Sequence, residues 1–277
     1  MMKKGLCFFS IVFISLFPVY LQAAANVTVT PQRVVLEGNL RSQKLTLLNT
    51  GDKVGEFRVN VEPVYINEAG RYEKIINPNQ EQLKTTRLFR VSPRKVLLKP
   101  GESQIVRVNS RKPSDLAKGE YMAALTIKPT DIEDKNQDAS TKRAPTQSTV
   151  SVEMQVSVTL PLILRQGELD ANISISEVAF AKDTNGQPAL SVQLKRDGGR
   201  SINAYMEAHV EKNRNRQRIG KTWFVMYPPQ AEATGLIPIN LPQQFDANGS
   251  NLIISVTERQ AGIHDGKVLG RAIFALE

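Results

Sequence analysis

Cysteine is almost absent from this chain of 277 residues, since Cys7 is the only one. A disulfide within the chain needs two cysteines, so the fold has no internal disulfide, and a metal centre built from several thiolates is excluded. Histidine is also scarce: His209 and His264 lie far apart in the sequence, without clustered carboxylates. We therefore expect no metal site.

Motifs for enzymatic chemistry are missing as well. No serine stands in a nucleophile-elbow motif, and no glycine-rich phosphate-binding loop occurs. The turn at 183–186 lacks the later glutamate that a calcium-binding loop requires. The sequence therefore predicts no enzyme activity, no catalytic residue and no cofactor.

The only long hydrophobic run lies at the N-terminus. Two lysines precede the apolar stretch 5–21, Pro18 interrupts it, and three alanines follow at 23–25. This order is typical of a secretory signal peptide, so we predict that residues 1–25 are cleaved near Ala25 and that the protein is exported. The alternative is an N-terminal membrane anchor, because the run reaches about the lower length limit of a spanning helix.

Acidic residues are fewer than basic ones, 27 against 36, and the formal net charge is +9. Such an excess suggests nucleic acid as a partner, but export argues against it, and we predict no nucleic-acid binding. Most basic residues are scattered, apart from a cluster at 212–221 that is typical of a solvated hairpin. The remaining excess could steer the protein toward an acidic partner or an anionic lipid surface.

Alternation of apolar and polar residues with a period of two dominates the chain, and no window shows a sustained helical stripe. In the first half we predict strands at 27–30, 44–48, 56–64, 88–91, 95–98, 103–108, 121–127 and 148–164. In the second half we predict strands at 173–178, 189–194, 204–210, 222–227, 236–241, 252–256 and 271–276. Short strands separated by turns, over a length of about two ordinary domains, predict an all-β protein with two immunoglobulin-like β-sandwiches, at 26–165 and 166–277.

Residues 148–164 form the most informative segment, because six apolar residues occupy alternate positions and so lie on one face of a single long strand. They are Val150, Val152, Met154, Val156, Val158 and Leu160. Pro161 then interrupts the row of hydrogen-bond donors. The preceding stretch, 129–147, is almost without apolar residues and is predicted to be a long mobile loop.

Two interpretations fit this strand. Its apolar face can point into the core of its own sandwich, in which case the strand needs no further role. Alternatively, the strand is lent to a partner chain, with main-chain hydrogen bonds giving affinity and alternate side chains giving specificity. Six such side chains, at about 1.5–3 kcal/mol each when fully buried, set a gross ceiling of about 9–18 kcal/mol. The loop before the strand favours the second interpretation.

Two groups of motifs resemble the PapD-type pilus chaperones. The first is PQRVVL at 31–36, followed by LTLLNTGD at 45–52. The second is LFRVSP at 88–93, continued by LKPGESQ at 98–104 and VRV at 106–108. The resemblance covers most of the first predicted domain in order, and the second domain fits the family in length and strand pattern.

The resemblance implies a function and a set of partners. The two domains would form a boomerang around a cleft, and the alternating strand would complete a pilus subunit that lacks its last strand. The complex would then pass from the periplasm to an outer-membrane usher, without nucleotide or cofactor. Free chains are expected to self-associate through their exposed strands.

The resemblance also implies roles for individual residues. The six alternating residues match the donor positions, and Arg33 matches a cleft arginine that binds the terminal carboxylate of the subunit. Glu120 and Arg165 match two members of an interdomain salt bridge, and Glu258 is the candidate for the third.

One position departs from the family pattern. Where the family has a second anchoring lysine, this chain has Pro161, and no lysine lies between Lys142 and Lys182. Arg90 and Arg87 are therefore further candidates for the carboxylate anchor. The long loop and the missing lysine together suggest the archaic branch of the family.

Two other functions are alternatives, a structural fimbrial subunit and a sugar-binding module. A structural pilin or adhesin-like subunit usually has one domain and a disulfide, whereas this sequence predicts two domains and no disulfide. A periplasmic sugar-binding module favours clustered exposed aromatic residues, but Trp223 is the single tryptophan and is expected in the core.

Overall fold

A computed structural model describes residues 26–130, 156–241, 248–259 and 266–276. The predicted signal peptide and most of the predicted loop lie outside these residues, as do Val150, Val152 and Met154 of the predicted donor strand. Within the described part, the chain consists mainly of β-strands and has one short helix. No helix in this part is long and apolar enough to cross a membrane.

The first domain is a sandwich of two sheets. Its elements are β1 (Val27–Thr30), β2 (Val34–Leu36), β3 (Ser42–Asn49), β4 (Gly55–Glu62), β5 (Val64–Ile66), β6 (Tyr72–Lys74), α1 (Gln80–Thr86), β7 (Phe89–Ser92), β8 (Lys95–Leu98), β9 (Ser103–Ser110), β10 (Gly119–Thr130) and β11 (Val158–Gln166). One sheet has the order β1-β3-β9-β7 and the other β2-β11-β10-β4-β8, while β5 and β6 form a separate hairpin. The first order corresponds to A-B-E-D of the immunoglobulin fold, and β11-β10-β4 in the other sheet corresponds to G-F-C.

The core of this domain follows from the alternation along its strands. Leu45 and Leu47 on β3 are buried while their neighbours in the chain are more exposed, and Phe57 and Val59 do the same on β4. Such residues from both sheets pack into one hydrophobic cluster, which extends in the sequence from Val27 to Leu164. Each buried side chain of this size contributes about 1.5–3 kcal/mol, so the alternation is the main determinant of the sandwich.

The second domain is a sandwich of seven strands. They are β12 (Asn172–Lys182), β13 (Pro188–Asp197), β14 (Ile202–Lys212), β15 (Asn215–Met226), β16 (Glu232–Pro238), β17 (Ser250–Glu258) and β18 (Val268–Leu276). The sheets β12-β13-β16 and β15-β14-β17-β18 correspond to A-B-E and C′-C-F-G. Their shared cluster begins at Ala171. The predicted all-β class with two immunoglobulin-like sandwiches is confirmed, and the boomerang shape stays a prediction.

Several local features differ from the sequence predictions. Strand β2, the β5–β6 hairpin and α1 were not predicted, and β10 continues to Thr130, two residues into the predicted loop. Helix α1 has no buried residue and therefore no apolar stripe. Its only sequence signal is the capping box, in which Asn79 and Gln82 bond to each other's backbone N–H.

Trp223 was expected in the core, but it is 53% exposed on β15. Its indole N–H donates to Oδ1 of Asn203 at the surface of the sheet. Sequence alone does not decide this position, because Trp223 lies on an edge strand whose outer face is open.

Candidate functional site

Arg33 lies between the two domains, in the short connection from β1 to β2. Its Nη2 donates to Oγ of Ser201 at 2.7 Å, and its Nη1 donates to the hydroxyl of Tyr227 at 3.2 Å. The guanidinium also lies 5.3 Å from the centre of the Tyr227 ring, within the range of a cation–π contact. Because Ser201 and Tyr227 belong to the second domain, Arg33 links the two sandwiches.

The turn between β13 and β14 brings Ser201 to this position. Gly198 has a φ of +101°, and a Cβ at this residue would lie 2.2 Å from the carbonyl oxygen of Asp170, so only glycine fits. Arg196 holds the same turn, since its Nη1 donates to the carbonyl of Gly198 at 2.5 Å and its Nε to the carbonyl of Gln230 at 2.8 Å. The turn is thereby held in place by contacts within the second domain.

Glu120 and Arg165 lie directly opposite each other on β10 and β11. Nε of Arg165 donates to Oε2 of Glu120 at 2.9 Å, and the side chains are 11% and 4% exposed, respectively. Glu120 also accepts from the backbone N–H of Ser201 at 3.0 Å and from its hydroxyl at 2.9 Å. Arg165 donates to the carbonyl of Ser201 at 3.1 Å and to Oε2 of Glu37 at 2.7 Å.

These contacts correct the predicted interdomain salt bridge. The ion pair of Glu120 with Arg165 lies within the first domain, and Ser201 makes the link to the second. Glu258 was predicted as the third member, but its carboxylate pairs with both Nη atoms of Arg200 in its own domain. The hydrogen bonds to Glu258 raise the pKa of Arg200 and outweigh the effect of its burial.

The charge of Arg33 is not neutralised by its hydrogen-bond partners, which are both neutral hydroxyls. Burial lowers the pKa of Arg33, and nearby Arg165 lowers it further, while Tyr227 and Glu120 act in the opposite direction. A guanidinium nevertheless stays charged in a protein. Among the described residues, no carboxylate forms a salt bridge with Arg33. This partly dehydrated cation is therefore suited to bind an external carboxylate.

The other two anchor candidates lie elsewhere. Arg90 is exposed on β7, the edge strand of the opposite sheet. Arg87 is also exposed, at the C-terminal end of α1, and donates to Gln80 at 3.2 Å. Arg33 instead precedes β2, which belongs to the sheet β2-β11-β10-β4-β8. The described contacts do not bring Arg87 or Arg90 close to Arg33.

The strand predicted to be lent to a partner is described from residue 156 onward. Val156, just before β11, is 47% exposed. Val158 packs partly buried against the first core, and Leu160 is only 2% exposed within it. Leu160 is therefore corrected from a donor position to a core residue, and Val158 also faces its own sandwich. The core interpretation thus holds for Val158 and Leu160, and the donor interpretation stays a prediction for Val150, Val152, Met154 and Val156.

The first residues of β11 have a free edge. On one side, β11 pairs with β10 from Val158 onward. On the other side, β2 pairs with it only from Leu162 to Leu164, and within the described ranges no strand pairs with residues 158–161 there. Pro161 has no N–H to offer at this edge. An unpaired strand edge is a template for main-chain pairing with another chain.

A groove of about 310 Å³ lies on the outer face of the second sheet, beside this edge. Its lining residues are Glu62, Val64, Tyr72, Lys74, Ala124, Thr126, Lys128, Ser157 and Thr159. Tyr72 on the β5–β6 hairpin donates to the carbonyl of Thr159 at 3.2 Å, and its ring makes an edge-on contact with Tyr227 at 6.1 Å. The hairpin therefore joins the strand edge to the interdomain contacts.

Glu62 is the one acidic residue among the described residues that line this groove. It accepts from Lys74 at 3.0 Å, from Lys128 at 3.1 Å and from the hydroxyl of Thr126 at 3.0 Å. Burial alone would raise the pKa of Glu62, but these three hydrogen bonds outweigh burial, so the pKa is lowered. The ionised carboxylate is thus stabilised in the folded state.

We expect the Glu62→Gln variant to be less sensitive to acid than the parent protein. A carboxyl with a lowered pKa stabilises the fold above its unfolded value of about 4.3, and this stabilisation is lost as the pH falls through the lower, folded value. Thermal unfolding between pH 6 and pH 3 measures the effect, and the parent should lose more stability over this range. Equal losses in the parent and the variant would contradict the assignment, and Glu81→Gln on exposed α1 is the control.

Sequence reasoning missed Ser201, Tyr227, Arg200 and Glu37, although they complete the interdomain contacts. The Asp197-Gly198-Gly199 turn signals a tight reversal, but it does not indicate that the next serine meets the other domain. Among the described residues, no group of three or more acidic, histidine or cysteine side chains could hold a metal ion.

The sequence matches no protein-family model, and no curated protein matches it significantly. Similar solved structures include the class 5 fimbriae chaperone CfaA, at 13% identity and a TM-score of 0.45, with 91% of this chain and 99% of that chain covered. The Pseudomonas aeruginosa CupB2 chaperone is 14% identical, with a TM-score of 0.40 and coverages of 90% and 100%. The E. coli chaperone DraB is 13% identical, with a TM-score of 0.44 and coverages of 91% and 97%. The fold assignment rests on the strand orders given above.

Proposed function

We propose that this protein is a periplasmic chaperone that binds a pilus subunit, lends it a strand and passes it to an outer-membrane usher. The observation that carries this proposal is Arg33, a partly dehydrated cation between two domains whose described partners are neutral hydroxyls. A chain-terminal carboxylate supplies the charge that this site lacks. No catalytic residue, metal or cofactor takes part.

The free edge of β11 supports the same function. No described strand pairs with residues 158–161 on one side, where Tyr72 contacts only the carbonyl of Thr159, and exposed Val156 begins the side-chain row that would enter the subunit. Because Val158 and Leu160 face their own core, the donor row is Val150, Val152, Met154 and Val156. Four such side chains give a gross burial energy of about 6–12 kcal/mol, from which association entropy and strand ordering subtract.

The placement of the two features explains how one subunit would engage both. Arg33 precedes β2, and β2 pairs in parallel with β11 from Leu162. The anchor and the strand edge therefore belong to neighbouring strands of one sheet. A bound carboxylate would fix the register of the subunit along the donor row, which matters because a slip of one residue exchanges the two faces of a strand.

Co-expression with candidate pilus subunits from the same bacterium tests the proposal. We expect the exported protein to be isolated from the periplasm in a stable one-to-one complex. The variant with Val152→Ser, Met154→Asn and Val156→Ser should lose the subunit, because it removes most of the apolar donor row. A control with Ser151→Asn, Gln155→Ser and Ser157→Asn changes the opposite face of the same segment and should keep the subunit.

If the folded donor-row variant kept its subunit fully, the strand would not be the binding element. If the parent protein retained no subunit, the chaperone function itself would be wrong.

A further inference from the structure

A second charged surface lies on the outer face of the sheet β15-β14-β17-β18, in the second domain. It is a shallow groove of about 630 Å³. Its lining residues are Glu207, His209, Arg216, Arg218, Ser255, Thr257, Val268 and Arg271. We name this surface the basic groove. The basic groove lies in the second domain, whereas the free edge of β11 lies in the first. The groove is therefore independent of the proposed subunit site.

The basic groove has more positive than negative charge. Glu207 is its only carboxylate among the described lining residues. Glu207 is already shared, since it lies 3.3 Å from Nη1 of Arg218 and 3.0 Å from Nζ of Lys221. Within the described part of the chain, neither Arg216 nor Arg271 forms a salt bridge with a carboxylate. An anionic ligand would therefore meet uncompensated guanidinium groups.

His209 does not supply the missing negative charge. Nη2 of Arg216 lies 3.2 Å from Nδ1 of His209, and because a guanidinium can only donate, the imidazole nitrogen accepts. Burial lowers the pKa of His209, and the neighbouring arginines 216, 218 and 271 lower it further against the opposing effect of Glu207. The ring is thus neutral at pH 7 and orients Arg216.

The positions of the arginines indicate the shape of the ligand. Arg218 is opposite His209, and Arg271 is opposite Ser255, on the two edge strands of the sheet. Three strand spacings of about 4.8 Å separate β15 from β18, or about 14 Å in total. An extended peptide matches this span, because its residues i and i+4 are about 13–14 Å apart.

Apolar groups on the same face favour a peptide over a small anion. Trp223, Tyr205, Thr257 and Val268 lie in one row across the four strands, and Thr257 and Val268 line the groove. Trp223 is 53% and Val268 57% exposed. Exposed Trp223 and Val268 offer contact to the aliphatic parts of a bound chain.

We propose that the basic groove binds an extended acidic segment of a partner protein, with carboxylates paired to Arg216 and Arg218 at one edge and to Arg271 at the other. Electrostatic complementarity of this kind mainly sets partner choice and association rate. Binding is expected to weaken at high salt, because the pairs are solvent-exposed.

Trp223 makes the proposal directly measurable, since it is the single tryptophan of the chain and lies beside the groove. The probe is a synthetic eight-residue peptide of alternating glutamate and threonine, and its reference is the same peptide with glutamine in place of glutamate. We expect the acidic peptide alone to change the tryptophan emission, in a saturable and salt-sensitive way.

The variant Arg216→Gln, Arg218→Gln, Arg271→Gln should raise the Kd for the acidic peptide about tenfold or more. The matched control is Arg41→Gln, Arg58→Gln, Arg107→Gln, which removes the same charge from exposed positions of the first domain. The control should bind like the parent, and thermal unfolding checks that both variants are folded.

Three results would overturn the proposal. Equal weakening in both triple variants would show that only net charge matters. Equal binding of inorganic phosphate and the peptide would show a site for a single anion. Tighter binding of phosphatidylglycerol vesicles than of the peptide would show a lipid-binding surface instead.

Discussion

Replacement of Glu120 by alanine is expected to lower the free energy of unfolding by about 3–5 kcal/mol, the usual cost of breaking a buried ion pair from one side. The carboxylate is 4% exposed and accepts from Arg165 and from both the N–H and the hydroxyl of Ser201. Its removal leaves a largely buried guanidinium and a buried backbone donor without this partner. Because Glu37 still pairs with Arg165, the lower end of the range is the better expectation.

Urea-induced unfolding measures this loss. Small-angle scattering of the folded variant measures whether the two domains separate. The control is Glu81→Gln, since the ion pair of Glu81 with Lys84 is exposed on α1 and should contribute less than about 0.5 kcal/mol. A double-mutant cycle with Arg165→Ala isolates the coupling between the two side chains. A loss below about 1 kcal/mol would mean that Glu120 does not hold the domains together.

The sandwiches were predictable because their determinants are local. On β1, Val27 and Val29 are buried between exposed residues, and on β8 the same holds for Val96 and Leu98. A period of two in hydrophobicity requires no knowledge of partner strands, so the predicted strands match the observed ones to within a few residues at most ends. The short strand β2 was missed because three residues carry too little of this pattern.

The interdomain contacts could only partly be predicted. Glu120 and Arg165 were found from the family resemblance, and their direct opposition on β10 and β11 explains why they pair. Ser201 has no such signal, because its role depends on how the turn at Gly198 packs against Asp170. Glu258, the candidate for the third member, pairs instead with Arg200 in the adjacent turn of the same domain.

The alternating strand shows a different limit. Its period continues unchanged from Val150 to Leu160, so the sequence does not mark where the core face ends. The structure places Leu160 in the core and leaves Val156 exposed. This boundary coincides with the last pair between β10 and β11, Ile127 with Val158, and strand pairing is a tertiary property.

Replacement of Arg33 by glutamine is expected to weaken subunit binding by about 30-fold to several thousand-fold, corresponding to the roughly 2–5 kcal/mol lost when one partner of a buried charge pair is removed. The side chain is held by Ser201 and Tyr227, so its guanidinium is oriented before any ligand arrives. Arg33→Lys keeps the charge but loses the paired donors, and should recover only part of the affinity. Dissociation of the purified complex, followed by exchange with labelled subunit, measures the change.

Blocking the carboxylate of the subunit distinguishes an anchor from a purely structural residue. A subunit extended by one amidated glycine should bind the parent protein more weakly than the unmodified subunit does. The Arg33→Gln variant should bind the extended and the unmodified subunit with equal affinity. Arg90→Gln and Arg87→Gln are the matched comparisons, since both arginines are exposed and are the further anchor candidates from the sequence. If blocking the terminus still weakened binding in Arg33→Gln but no longer did so in Arg90→Gln, the anchor would be Arg90, and the neutral contacts of Arg33 would serve only to join the two domains.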